Sequence, residues 1–151
     1  MAFYNRTKLE LQAAREKLEA AENRIRELES DFRAVERATA VIVMSQDGII
    51  ESVSTEFEDL LGYERHKLIG QHHRCFCCRE YARSEDYIKF WRELVTGNVK
   101  TGSFPAVHAR GHNVCLNARY SPVMSDKGVS RRVIGIVSSA REAELDLNDH
   151  K

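Results

Sequence analysis

The first 38 residues carry apolar side chains at a seven-residue spacing, which predicts a long helix. Two apolar series are offset by three positions: Leu11, Leu18, Ile25 and Phe32 form one, and Ala14, Ala21, Leu28 and Val35 form the other. Residues 6 to 38 contain no Gly or Pro, so helix propensity is high throughout. Series with this offset form the a and d positions of a left-handed coiled coil.

The charged residues beside this seam support a homodimer through the N-terminal helix. In a parallel pair, each g residue faces the e residue five positions later in the partner. Attraction is expected for Glu10 with Arg15, Lys17 with Glu22 and Arg24 with Glu29, and repulsion for Asp31 with Glu36. The alternative, a helix packed on its own domain, does not require this charge pattern. The alanines at d predict a dimer of modest strength.

From residue 40 the pattern changes to short apolar runs separated by turn residues. Strands are predicted at 41–44, 49–53, 102–110, 113–123 and 131–139, and helices at 55–61, 64–69 and 84–95. In the fourth strand, Val114, Leu116, Ala118 and Tyr120 alternate with polar residues and are predicted to point inward. The order predicts an α+β fold, a five-stranded antiparallel sheet with short helices on one face.

The predicted organisation is a helix at 1–38, a domain at 39–140 and a polar tail or linker at 141–151. A net charge of zero argues against binding to nucleic acid. The longest apolar run, residues 40 to 44, is far shorter than the ~20 residues of a membrane span. With no apolar signal segment at the N-terminus, we expect a cytoplasmic protein with reduced thiols.

A cluster of soft ligand groups is the main chemical feature. His72, His73, Cys75, Cys77 and Cys78 lie within seven residues, and the single tryptophan, Trp91, follows shortly after. A zinc site is disfavoured because adjacent cysteines on a helix diverge by ~100°. A thiol switch requires a cysteine of lowered pKa, which Arg74 and Arg79 could supply. The remaining interpretation is that these residues are core or surface groups without a ligand.

Residues 41 to 140 resemble a PAS domain of the bacterial chemoreceptor and aerotaxis-sensor type. The landmarks are Asp47-Gly48, Phe57, Leu60-Leu61-Gly62-Tyr63, Leu68-Ile69-Gly70, His72-His73-Arg74, Phe76, Tyr81, Ser84, Tyr87, Phe90-Trp91, Leu94, Gly97, Gly102-Ser103-Phe104 and Ala118-Arg119-Tyr120-Ser121-Pro122-Val123. The N-terminal helix is similar to the signalling helices that join such domains. Two departures are Ser54, where the family usually has Asn, and Ser139-Ala140-Arg141, where it often has Asp-x-Thr.

The resemblance implies a pocket between the sheet and the short helices that holds FAD, haem b or no cofactor. Trp91 stands where flavin sensors of the aerotaxis type carry Trp, and His73 matches a His of that group. The candidate cofactor-binding residues are Trp91, His73, His72, Cys77, Leu116 and Tyr120. If haem is bound, the candidate iron ligands are His73, His72 and Cys77.

We therefore predict a sensory module that relays a redox or gas signal to a chemoreceptor- or kinase-type domain. The alternative is a ligand-free PAS module for dimerisation or protein interaction. An enzyme is not expected, because the chain has no phosphate-binding loop, no acid–base carboxylate pair on a recognisable scaffold and no Ser/His/Asp arrangement.

Overall fold

The computed structural model describes residues 1–143 and divides the chain into two units, Met1–Val35 and the remainder from Glu36 onward. Helix α1 spans Ala2–Ala38, so the long N-terminal helix predicted from the sequence is present. No residue of α1 is buried, and its surface carries the ion pair Arg6–Glu10 at 3.2 Å. Of the helices in residues 1–143, α1 included, none is both long and apolar enough to cross a bilayer.

The domain contains the predicted five-stranded antiparallel sheet. The strands are β1 (Ala40–Ser45), β2 (Ile50–Val53), β3 (Lys100–Val107), β4 (Asn113–Met124) and β5 (Ser130–Glu142). They are arranged in the order β2-β1-β5-β4-β3, so the first strand pairs with the last at the centre of the sheet. Strand β5 continues to Glu142, inside the segment predicted as a tail, and residues 144–151 of that segment lie outside the described chain.

Short helices connect β2 to β3. They are α2 (Thr55–Leu61), α3 (Arg65–Leu68), α4 (Arg79–Ala82) and α5 (Glu85–Val95), with a 3₁₀ turn at His73–Phe76. Helix α2 ends at Gly62, whose φ of 76° allows the left-handed cap conformation, as predicted from the sequence. The predicted helix at 64–69 is a single turn, and neither the 3₁₀ turn nor α4 was predicted.

The core lies between the sheet and these helices. Phe57 and Leu61 of α2 and Leu94 of α5 are completely buried. The inward face predicted for β4 is confirmed, because Val114, Leu116, Ala118 and Tyr120 are all buried. At the outer edge of the sheet, Cys77 forms an isolated antiparallel bridge with Ala106 of β3, which ties the segment after the 3₁₀ turn to the sheet.

Candidate functional site

An aromatic cluster surrounds His73 between α5 and the sheet. We call it the ring cluster, and its members are His73, Phe76, Tyr87, Phe90, Trp91 and Tyr120. Three members come from α5, where the spacing i, i+3, i+4 places them on one face of the helix. Tyr120 comes from the inward face of β4, and the 3₁₀ turn supplies His73 and Phe76. Elements distant in sequence thus converge on one imidazole.

The backbone around His73 is held by the β1–β2 turn. The His73 N–H donates to the carbonyl of Gly48 at 2.8 Å, and the Arg74 N–H donates to His72 Nδ1 at 3.0 Å. A side chain at position 48 would not fit, because a Cβ there would lie 2.6 Å from His72 Nε2 and 3.0 Å from Trp91 Cζ2. Glycine, with a φ of 83°, therefore lets the turn close directly over His72 and Trp91.

His73 is 2% exposed, and both of its ring nitrogens have partners. Nδ1 lies 3.0 Å from the hydroxyl of Tyr87, and Nε2 lies 3.0 Å from the hydroxyl of Tyr120. The ring also stacks on Tyr87 and Phe90, with interplanar angles of 14° and 23°. Burial, and to a smaller degree the neighbouring His72, lowers the pKa of His73 to about 3. The imidazole is therefore neutral near pH 7.

A neutral imidazole has one donor and one acceptor, so it donates to one of the two tyrosine hydroxyls and accepts from the other. The Cys77 thiol lies 3.5 Å from His73 Nδ1 and 3.5 Å from the His73 carbonyl, to which it can donate. The result is a buried hydrogen-bond chain from Tyr120 through His73 to Tyr87, with the Cys77 thiol beside it.

The phenol and thiol groups in and beside this hydrogen-bond chain keep their protons at neutral pH. Burial raises the pKa of the Cys77 thiol to about 12 and raises the phenol pKa values of Tyr87 and Tyr120 above their ordinary range. Burial also raises the pKa values of the Cys75 and Cys78 thiols. The suggestion that Arg74 and Arg79 lower a thiol pKa was therefore wrong for all three cysteines, because desolvation is the larger effect.

The structure brings most of the predicted site residues together. Trp91 packs edge-on against His73 with ring centroids 5.6 Å apart, and it lies 5.8 Å from the ring of His72. Cys77 and Tyr120 contact His73 directly. Leu116 is fully buried on the same face of β4 as Tyr120.

Sequence reasoning missed three members of the ring cluster: Phe76, Tyr87 and Phe90. The spacing of Tyr87, Phe90 and Trp91 on a predicted helix was the available signal for two of them. A further feature, also not predicted, is that Trp91 Nε1 is buried and has no hydrogen-bond partner within residues 1–143.

The donor set does not fit haem b in this arrangement. Both nitrogens of His73 are occupied, and Nδ1 of His72 accepts from Arg74 while its Nε2 lies against Gly48. The Cys77 thiol is protonated, whereas a cysteine ligand of haem is a thiolate. Among the described residues no group of three or more His, Cys, Asp and Glu side chains is arranged to hold a metal ion.

A flavin ring does not fit the closed ring cluster either. His73 is buried and contacts five aromatic rings, so an isoalloxazine ring would have to displace His73 or the tyrosines bonded to it. The buried N–H of Trp91 is the one donor in the cluster that lacks an acceptor. A flavin would therefore require a second arrangement of these side chains.

Comparison with known proteins agrees with this architecture. The family model described as PAS domain matches residues 38–139. The chain is 34% identical over 105 residues to the biofilm dispersion protein BdlA of Pseudomonas aeruginosa, a match that covers 70% of this chain and 25% of BdlA. The chain therefore spans about a quarter of the length of that relative.

Solved structures share the fold at low sequence identity. The PAS domain of a protein from Colwellia psychrerythraea has a TM-score of 0.61 at 20% identity, covering 77% of this chain and 96% of that one. An RNA-binding light-oxygen-voltage receptor has a TM-score of 0.61 at 20% identity, covering 67% and 29%. The LOV protein of Rhodobacter sphaeroides has a TM-score of 0.59 at 13% identity, covering 74% and 61%. At these identities the structures support the shared fold alone.

Proposed function

The chain belongs to the PAS domain family, and from that premise we propose that it is a dimeric sensory module in which the ring cluster responds and helix α1 transmits. The observation that carries the proposal is the buried hydrogen-bond chain through His73. Burying polar groups costs free energy unless all of them are paired, and such networks specify one arrangement over its alternatives. A change that breaks one link leaves buried groups unpaired and favours a different arrangement.

The closed ring cluster favours a resting state without a cofactor, which was the alternative considered from the sequence. The side chains already satisfy one another, and a cofactor would have to compete with those contacts. We propose that the domain signals through rearrangement of its own side chains and through partner binding. Since its phenols and thiol remain protonated, the cluster lacks an activated nucleophile, and we propose no enzymatic role.

FAD is the second candidate, favoured by the unpaired N–H of Trp91. A carbonyl oxygen of a flavin is the kind of acceptor this donor lacks, and a bound flavin would supply redox chemistry. Haem b is the third candidate and would require His73, His72 or Cys77 to exchange its present partners.

A visible absorption spectrum of the purified protein separates these candidates. The ligand-free proposal predicts no visible band, even after incubation with FAD or haemin and removal of the excess. Retained flavin bands would favour FAD, and Trp91→Phe should then lower the retained flavin while Ile88→Leu, at an exposed position of α5, should not. A retained Soret band would favour haem. Either retained band would contradict the ligand-free resting state.

We propose that helix α1 pairs with α1 of a second copy in parallel. In the parallel pair, the g residues of each helix make three attractive contacts and one repulsive contact with e residues of the other helix. An antiparallel pair in which a residues face d residues sets e against e and g against g. Attraction then arises for Lys8 with Glu29 and Arg15 with Glu22, and repulsion for Glu10 with Asp31 and Lys17 with Arg24. Those contacts cancel, so charge favours the parallel pair.

Charged residues in the seam test this pairing. The double variant Leu18→Glu with Ile25→Glu places carboxylates at two a positions and should convert a dimer to a monomer in sedimentation equilibrium. The matched control, Leu9→Glu with Ser30→Glu, adds the same charges at outward-facing f positions and should leave the dimer intact. A monomeric wild-type protein, or a dimer that survives the seam variant, would contradict the proposal.

The output is proposed to be a chemoreceptor- or kinase-type domain coupled through the paired helices, without binding to nucleic acid. This rests on the resemblance of residues 41–140 to PAS domains of the chemoreceptor and aerotaxis-sensor type. In a fusion to a histidine kinase, Tyr87→Phe should change the autophosphorylation rate, whereas Tyr4→Phe on α1 should not. Equal rates in all three proteins would argue against signalling from the ring cluster.

A further inference from the structure

Ser54 is a buried polar residue between β2 and α2 that contacts three different segments. Its hydroxyl accepts from the Val41 N–H at 2.8 Å and from the Phe57 N–H at 3.4 Å, and it donates to the Thr39 carbonyl at 3.0 Å. Its own N–H donates to the carbonyl of Val41 at 2.9 Å. Thr39 is the residue between the last residue of α1, Ala38, and the first of β1. One hydroxyl therefore joins the residue that follows α1, the strand β1 and the start of α2.

A continuous series of contacts leads from this hydroxyl to the ring cluster. Phe57, whose N–H the hydroxyl accepts, packs edge-on against Phe76 with ring centroids 5.6 Å apart. Phe76 in turn packs edge-on against His73 at 4.6 Å. Both phenylalanines are at most 1% exposed, so neither can move without shifting its neighbours in a close-packed interior.

A second serine in the domain shows which part of this geometry is special. Ser84 begins α5 as Ser54 begins α2, since its hydroxyl accepts from the Tyr87 N–H at 3.2 Å and donates to the Tyr81 carbonyl at 2.6 Å. Both serines therefore stabilise a helix N-terminus. Only Ser54 also bonds to the segment that follows α1. Its hydrogen bonds to Thr39 and Val41 are not required to cap α2.

We propose that the Ser54 hydroxyl is a positioning group that couples the arrangement of the ring cluster to the segment where α1 ends. The inference rests on the proposed sensory function and adds the residue through which the signal leaves the core. A shift of His73 displaces Phe76 and Phe57, and the first turn of α2 moves with them. The hydroxyl then cannot keep its bonds to Phe57, Val41 and Thr39 at once, so the connection to α1 changes.

Amide resonances of the full-length protein test this coupling directly. Tyr87→Phe removes the hydroxyl at His73 Nδ1 and perturbs the ring cluster at one atom. In the wild-type background we expect it to shift the amide resonances of Phe57, Thr39 and Val41. In the Ser54→Ala background the shifts at Thr39 and Val41 should fall by at least about half, as a double-mutant cycle measures. The shift at Phe57 should remain.

Three further variants keep the test decisive. Ser125→Ala also removes a serine hydroxyl that accepts from a backbone N–H, that of Val129 between β4 and β5, and should leave the response of Thr39 and Val41 unchanged. Ser54→Asn retains both a donor and an acceptor and should restore that response. If Ser54→Ala fails to fold, Ser54→Cys keeps the size of the side chain with weaker hydrogen bonds and should still reduce the response.

Two results would overturn the inference. One is an unchanged response of Thr39 and Val41 in both the Ala and the Cys variants, and the other is the absence of any response in the wild-type background. The amide shifts of Thr39 and Val41 are measured independently of the oligomeric state and of the visible spectrum. A failure of the proposed dimer or of the ligand-free state is therefore distinguishable from a failure of this coupling.

Discussion

Helix α1 and the domain place their apolar residues in opposite environments. In the domain, the alternating residues of β4 and the inward faces of α2 and α5 are buried by other parts of the same chain. On α1, the regularly spaced Leu18 and Ile25 are 59% and 54% exposed within one chain. The domain thus gains its stability from contacts within the chain, whereas the seam of α1 gains it only from another surface. Protein concentration should therefore affect the association of α1 but not the stability of the domain.

The two regions also differ in how they use polar groups. The domain buries neutral groups, His73 and two tyrosines, in a fully paired hydrogen-bond chain. Helix α1 keeps its charges at the surface, where solvent and salt weaken each contact. Lowering the pH should therefore destabilise the domain, because protonation of a buried imidazole is costly. Raising the salt concentration should instead weaken the charge contacts of α1.

The largest effect is expected from a cavity in the domain. Phe57 is completely buried, and Phe57→Ala should lower the free energy of unfolding of the domain by about 3–5 kcal/mol. Urea unfolding followed by Trp91 fluorescence measures this loss, and the midpoint should be independent of protein concentration. Leu18→Ala on α1 is the control and should leave that midpoint unchanged. A midpoint that depends on concentration would show that the domain itself is stabilised by a partner.

The next effect is a loss of stability in mild acid that depends on His73. Its pKa is lowered from 6.5 to about 3 in the folded state, so the unfolded chain binds the proton more readily. The stabilisation is present above about pH 6.5 and is lost as pH falls toward the folded pKa, by up to about 1.4 kcal/mol per pH unit. Urea unfolding between about pH 6.5 and 5 measures the slope, before most carboxylates titrate.

Two substitutions isolate the contribution of His73 to this slope. His73→Leu should make the pH dependence shallower, although the two tyrosine hydroxyls lose their partner and the absolute stability falls. Leu94→Ala removes a buried side chain of α5 but no imidazole, and should retain the wild-type slope at a lower absolute stability. Identical slopes in all three proteins would show that His73 is not buried as a neutral group.

The smallest effect is expected at the one repulsive contact of the paired helices. Asp31→Lys would turn the repulsion with Glu36 of a parallel partner into attraction at both symmetric contacts, strengthening the dimer by ~1 kcal/mol or less per contact. Sedimentation should show tighter association that weakens as salt is raised. Glu19→Lys makes the same change of charge at an outward position and should have little effect. Weaker association of Asp31→Lys would contradict the parallel register.

Regular periodicity explains which parts of the fold could be predicted. The seven-residue repeat predicted α1, and strict alternation predicted the buried face of β4, including Leu116 and Tyr120. The 3₁₀ turn and α4 each contain four residues, too few for a period to be recognised.

The site was less predictable because its contacts are long-range. Nothing local indicates that His73 meets a tyrosine 14 residues away and another 47 residues away. The thiol pKa values were predicted from nearby arginines in the sequence, but the effect of burial depends on packing that no local pattern shows.

The bridge between Cys77 and Ala106 has a consequence for the outer strand of the sheet. An unprotected edge strand can pair with a strand of another molecule and start polymerisation. Here β3 carries Pro105, which has no N–H to offer, and the adjacent Ala106 is already engaged by Cys77. A concentrated solution of this protein should therefore resist fibril growth from that edge, even while its helices associate.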